Sequence, residues 1–159
     1  MHPPKYPLEP LADLRRRRAD EAARQVVVAA RARAAAEQAR VLSEERRDRH
    51  AADAGRVRAA ERSALGSGVL TAADLARAHA WEERVAAEGR GLAAAVLAAR
   101  ADESRAASQE AGARSGLGSR EGEAQAVTRD RERWEAARRT RVEAAEEEGA
   151  MEAWRPKKA

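Results

Sequence analysis

Apolar side chains return at every seventh position through the second half of the chain, at Ala78, Val85, Leu92, Ala99, Ala106, Ala113, Val127 and Trp134, with Arg120 alone breaking the series. A seven-residue apolar repeat holds one face of a helix against a partner and implies a left-handed supercoil. The first half of the chain supplies the nearest partner. Its own stripe, Leu8, Leu11, Ala22, Ala29, Ala36, Val57 and Ala60, is rich in alanine and is interrupted by Arg15, Arg18, His50 and Asp53, which predicts a narrow, weakly held seam. Alanine lets two helices approach closely, and long Arg stems can lie along such a seam with their heads in water.

Proline and glycine divide the pattern into elements. Pro3, Pro4, Pro7 and Pro10 cannot donate to a helix ladder, so residues 1–10 read as an irregular leader. Residues 11–65 contain no Pro and one Gly, in a mixture of Ala, Arg, Glu and Gln that favours a single helix about 80 Å long. Acid-before-base pairs such as Asp20 with Arg24 and Glu45 with Arg49 support its surface. Residues 66–70, Gly-Ser-Gly-Val-Leu, form the expected turn. Thr71-Ala72-Ala73-Asp74 has capping-box spacing and opens a second helix, 71–154, ahead of a basic tail, 155–159. Gly112, Gly116, Gly118 and Gly122 each cost about 1 kcal/mol against Ala, so 112–122 is where that helix could kink, fray or break. With the reversal near Gly68, the first helix should begin opposite roughly residue 125, and residues beyond about 130 should overhang without a partner. The expected fold is all-α: residues 11–154 form one antiparallel coiled-coil hairpin of two long helices.

Composition supports a thin assembly. Of 159 residues 43 are Ala and 28 are Arg, while Val, Leu, Met, Trp and Tyr together number 26 and Phe, Ile and Cys are absent. Burying an Ala methyl contributes about 0.8 kcal/mol, against roughly 1.5–3 for Val or Leu, so a multilayer core would not offset chain entropy. Charged residues make up 36% of the chain and give a net charge of +4 from interspersed signs. The longest apolar run, Leu92 to Ala99, falls far short of the roughly 20 residues that span a bilayer. No signal peptide is legible at the start. A soluble, cytoplasmic chain without membrane insertion is therefore expected.

Candidate chemistry is sparse. His2, His50 and His79 are too scattered to share a metal, and Glu146-Glu147-Glu148 point in different directions on a helix. Neither Gly66-Ser67-Gly68 nor Gly116-Leu117-Gly118 has the strand or the Lys of a phosphate loop. The inventory predicts no enzyme, no cofactor, no metal site and no small-molecule substrate. Arg15 to Arg18, with Lys157 and Lys158, raises a basic nucleic-acid-binding helix as an alternative, but the four Arg spread around the helix, acids flank them and no aromatic is interleaved. A free structural coiled-coil oligomer is the other alternative. Trp81 and Val85 form an i,i+4 pair just past the turn, near Leu75, and Trp81 either packs under the turn or is presented to a partner. Trp134 falls on the seam row.

The opening Tyr6-Pro7-Leu8-Glu9-Pro10-Leu11-Ala12-Asp13-Leu14-Arg15, the long charged first helix, the Gly-Ser-Gly turn with Thr71, the aromatic soon after it and the ending Met151-Glu152-Ala153-Trp154-Arg155-Pro156-Lys157-Lys158 resemble the FliJ/YscO family of type III secretion stalk proteins, flagellar or virulence-associated. The resemblance covers nearly the whole chain. It implies a non-enzymatic antiparallel coiled coil at the base of a membrane-bound export apparatus, inserted in the hexameric export ATPase and touching the cytoplasmic domain of the export gate, with secretion chaperones as further partners. It assigns the gate contact to Leu75, Trp81, Val85 and Leu92. Trp81 and Val85 match the family's aromatic and aliphatic pair, whereas Glu88 and Leu92 stand where the family has a small residue and a His. It assigns the ATPase contact to Leu11, Leu14, Trp134, Arg138, Arg139, Arg141, Val142 and Trp154.

Overall fold

A computed structural model describes residues 5–68 and 70–154. Helix α1 runs Glu9–Gly66 over 58 residues, and α2 runs Ala72–Trp154 over 83. The two pack against each other, and no strand occurs among the described residues. The fold is all-α. The first four leader residues, Val69 of the turn and the basic tail 155–159 lie outside the described residues.

Helix α1 begins at Glu9, two residues earlier than the proline pattern predicts. Pro10 sits in its first turn, where a helix has no use for the missing N–H. The Glu9 N–H donates to the Tyr6 carbonyl at 3.2 Å and the Ala12 N–H to the Leu8 carbonyl at 2.9 Å, so the chain before α1 is already tied to it. At the other end Ser67 and Gly68 donate to the carbonyls of Ala64 and Leu65, and Gly68 takes φ +69°, a left-handed conformation open to glycine at no steric cost. The Thr71 box then starts α2. Its backbone N–H and hydroxyl both donate to the Asp74 carboxylate, at 2.8 and 2.6 Å, and the Asp74 N–H donates back to the Thr71 hydroxyl at 3.3 Å. These reciprocal bonds hold the Asp74 pKa down at about 2, with Arg77 assisting.

The helix pair comprises two compact units, one of Val27–Ala111 and one of the residues up to Val26 with those from Gly112 onward. In the first, residues 78, 85, 92, 99 and 106 are buried or half-buried, and so is a second row four positions on: Glu82, Gly89, Val96, Glu103 and Glu110. Three acids in that row meet Arg residues of α1 in antiparallel order. Glu82 takes two bonds from Arg58 at 2.6 and 2.7 Å, Glu103 takes Arg40 at 2.6 Å, and Glu110, 4% exposed, takes Arg33 at 3.1 Å. The bonds from Arg58 hold the Glu82 carboxyl below the usual range. The seam is thus part hydrophobic and part ionic, with Val96, 2% exposed, the most deeply buried of its apolar residues. His50 also lies in it, its Nε2 buried without a hydrogen bond and 3.4 Å from Glu88.

The second unit is likewise antiparallel: Arg15 pairs with Glu123, and Glu9 with Arg131 at 3.0 Å. Three expectations are corrected here. The anticipated α1 stripe is only partly inward: Leu8, Val57 and Ala60 are exposed, while Leu11, Ala22, Ala29 and Ala36 are half-buried. The inward positions of α1 follow two sets of seven-residue steps, 12, 19, 26, 40, 47 and 54 and 15, 22, 29, 36, 43 and 50, so Arg15 and His50 share the seam with alanine. The segment 112–122 is unbroken helix. Adding residues to an existing helix is far easier than nucleating one, and half-buried Ala113 and Leu117 anchor this stretch. Pairing also reaches beyond residue 125, because buried Tyr6 extends it to Asp130 and Trp134. From Arg139 to Glu152 every residue of α2 is exposed.

Candidate functional site

Each unit carries a surface groove in which apolar and charged side chains meet. In Val27–Ala111, the last turns of α1 and the first of α2 enclose about 400 Å³ between Val57, Leu65, Leu70, Leu75 and Trp81, with Glu61, Asp74, Arg77 and Arg84 at the margin. The Thr71 box fixes where α2 starts and so aims Leu75 and Trp81 into the same groove. Trp81 is half-buried and lines this groove. Of the four residues assigned to a gate contact, Leu75 and Trp81 come together. Val85 and Leu92 belong to the half-buried seam row and do not line the groove. Leu65 and Leu70 went unnoticed in the sequence, although two leucines bracketing a Gly-Ser-Gly turn were a usable signal.

The second groove, of about 680 Å³, is lined by Tyr6, Glu9, Arg131, Trp134, Arg138, Arg139 and Val142 among others. Tyr6 organises it. Its hydroxyl donates to Asp130 Oδ2 at 2.6 Å, and its ring meets Trp134 edge-on at 5.7 Å between centroids and 60° between planes. The hydrogen bond to Asp130, with desolvation and the Asp130 charge adding to it, pushes the phenol pKa up to about 12. On the Trp134 ring lies the Arg138 guanidinium, 5.9 Å from its centroid, a cation–π contact. Trp134, Arg138, Arg139 and Val142 therefore converge, whereas Leu11, Leu14, Arg141 and Trp154 do not line the groove. Trp154 is 86% exposed, close in sequence to exposed Met151. Tyr6 escaped the sequence reading of this site because the prolines around it assigned it to an irregular leader.

The basic block is partly neutralised: Arg15 pairs with Glu123, and Arg16 lies 3.8 Å from Asp13. Among the described residues no group of three or more His, Asp or Glu could hold a metal, and no helix is long and apolar enough to cross a membrane. The groove beside the turn presents hydrophobic surface with a charged rim, and the second sets two aromatic rings and Val142 among charged side chains, a chemistry suited to docking other proteins. A family model described as YscO-like protein matches residues 3–153. The chain belongs to the YscO-like family. This YscO-like chain is accordingly associated with type III secretion, in a family of structural components of the secretion apparatus. No curated protein and no solved structure gives a match.

Proposed function

We propose that this YscO-like protein is the non-enzymatic coiled-coil stalk of a type III export apparatus, joining the hexameric export ATPase to the cytoplasmic domain of the export gate and promoting protein export. It works in the cytoplasm at the base of the apparatus, with secretion chaperones as further clients and no small-molecule substrate. The groove beside the turn receives the gate, through Leu75 and Trp81, with Val85 and Leu92 supporting from the seam. The ATPase meets Trp134, Arg138, Arg139 and Val142, with Leu11, Leu14, Arg141 and Trp154 flanking, and the Arg side chains suit acidic loops.

The observation that carries this reading is the half-buried Trp81 in an open apolar groove, the setting of an interface anchor. Losing such an anchor weakens binding by about 10-fold or more. Trp81→Ala should therefore suppress export in a secretion assay while the helical circular dichroism signal stays as in the wild type. Undiminished export by a folded Trp81→Ala protein would remove the gate assignment.

A further inference from the structure

Between Arg139 and Glu152 every residue of α2 is exposed. An isolated helix of this composition is poorly supported. Glu143 with Glu147, and Glu148 with Glu152, are like-charge i,i+4 pairs, and no base occupies the last turn to face the negative end of the helix dipole. Helical geometry places Val142, Ala145 and Gly149 on one narrow face. Arg139 and Glu146, seven residues apart, flank it on one side. Arg141 and Glu148, also seven apart, flank it on the other.

We propose that this end of α2 docks on the same segment of a second copy of the chain, antiparallel, about a two-fold axis near residues 143 and 144. The charges decide the occupant. A two-fold perpendicular to two antiparallel helices keeps each flank on its own side. Arg139 of each copy therefore meets Glu146 of the other, and Arg141 of each meets Glu148. Four complementary pairs close around a strip in which Val142 packs on Ala145. The base and acid centres lie about 10 Å apart along the helix, so both matches form at once. Parallel pairing in register would bring only Arg141 of each copy to Glu146 of the other, two pairs instead of four, and leave Arg139 and Glu148 unmatched. Arg139, Arg141 and Val142 are also assigned to the ATPase under the stalk reading, so paired and ATPase-docked forms exclude each other. The inference itself does not depend on that reading.

The test uses the full chain alone, so its result is independent of any export assay. Sedimentation at low salt should show a dimer whose association weakens as salt rises from about 0.05 to 0.5 M. The variant Arg139→Glu/Arg141→Glu and the variant Glu146→Arg/Glu148→Arg, each checked for wild-type helicity, should separately associate at least about 10-fold more weakly. Mixed, they should recover a heterodimer. Orientation is read independently with charges at the four flanking positions intact, since the chain has no cysteine. Arg138→Cys and Gly149→Cys proteins should cross-link to each other but neither to itself, because like positions would stand about 16 Å apart, beyond disulfide reach. A monomeric wild type, a dimer indifferent to both double variants, failure of the mixture to re-associate, or self-linking of either single-cysteine variant would each overturn the proposal.

Discussion

The Tyr6 hydroxyl donates to Asp130 at 2.6 Å across 124 positions of sequence, and the same ring rests edge-on against Trp134. This contact fastens the start of the chain to α2 and keeps the phenol protonated, its pKa raised from 10.0 to about 12. The neutral phenol is the form the fold favours. Its contribution is intact below pH 10 and is lost as pH rises through 10 to 12. Because Tyr6 is the one tyrosine, tyrosinate absorbance reports it directly, and a midpoint near 10 in the native protein would refute the contact. Tyr6→Phe should lower the melting midpoint by about 2–4 °C at neutral pH and abolish this alkaline loss.

The start of α2 should respond in the opposite direction. Asp74 has its pKa lowered from 3.8 to about 2 by Thr71 and Arg77. The charged carboxylate is favoured, so its contribution holds above about pH 4 and disappears as pH falls from about 4 to 2. Thr71→Ala should destabilise the protein by about 1 kcal/mol at neutral pH. It should also blunt the acid dependence, as read by melting curves across the acid range.

Val96 and Leu97 are adjacent but not equivalent. Val96 is 2% exposed and Leu97 66%. Val96→Ala should cost about 2 kcal/mol in denaturant unfolding, while Leu97→Ala stays within about 0.5 kcal/mol of the wild type. Equal effects would mean that α2 is rotated from the described register.

Gly112, Gly116, Gly118 and Gly122 lie within continuous helix, and a methyl group at any of them would meet nothing within 4 Å. Neither packing nor backbone conformation asks for glycine there. Each Gly→Ala replacement should therefore stabilise by about 1 kcal/mol. Amide hydrogen exchange across 112–122 should slow in the combined variant.

The seven-residue row from Ala78 to Trp134 made α2 and its need of a partner readable in the sequence, and the Thr71 and Asp74 spacing located its start. The second inward row was not readable, because Glu82, Glu103 and Glu110 count as surface in any hydropathy pattern until Arg58, Arg40 and Arg33 are known to face them. The candidate grooves were half legible. Trp81 and Trp134 stood out as rare large side chains, but Tyr6, Leu65 and Leu70 gained meaning only once the chain reversal brought distant residues together. The four glycines misled for a different reason: propensity weighs residues singly, whereas a long helix is extended cooperatively from stable flanks.

Among the described residues no large side chain is completely buried, and guanidinium–carboxylate pairs fill much of the seam. Unfolding such a molecule uncovers little hydrocarbon, so its heat-capacity increment should be small for its length. The dependence of folding free energy on temperature then becomes a shallow arc, giving cohesion that changes little between cold and warm conditions.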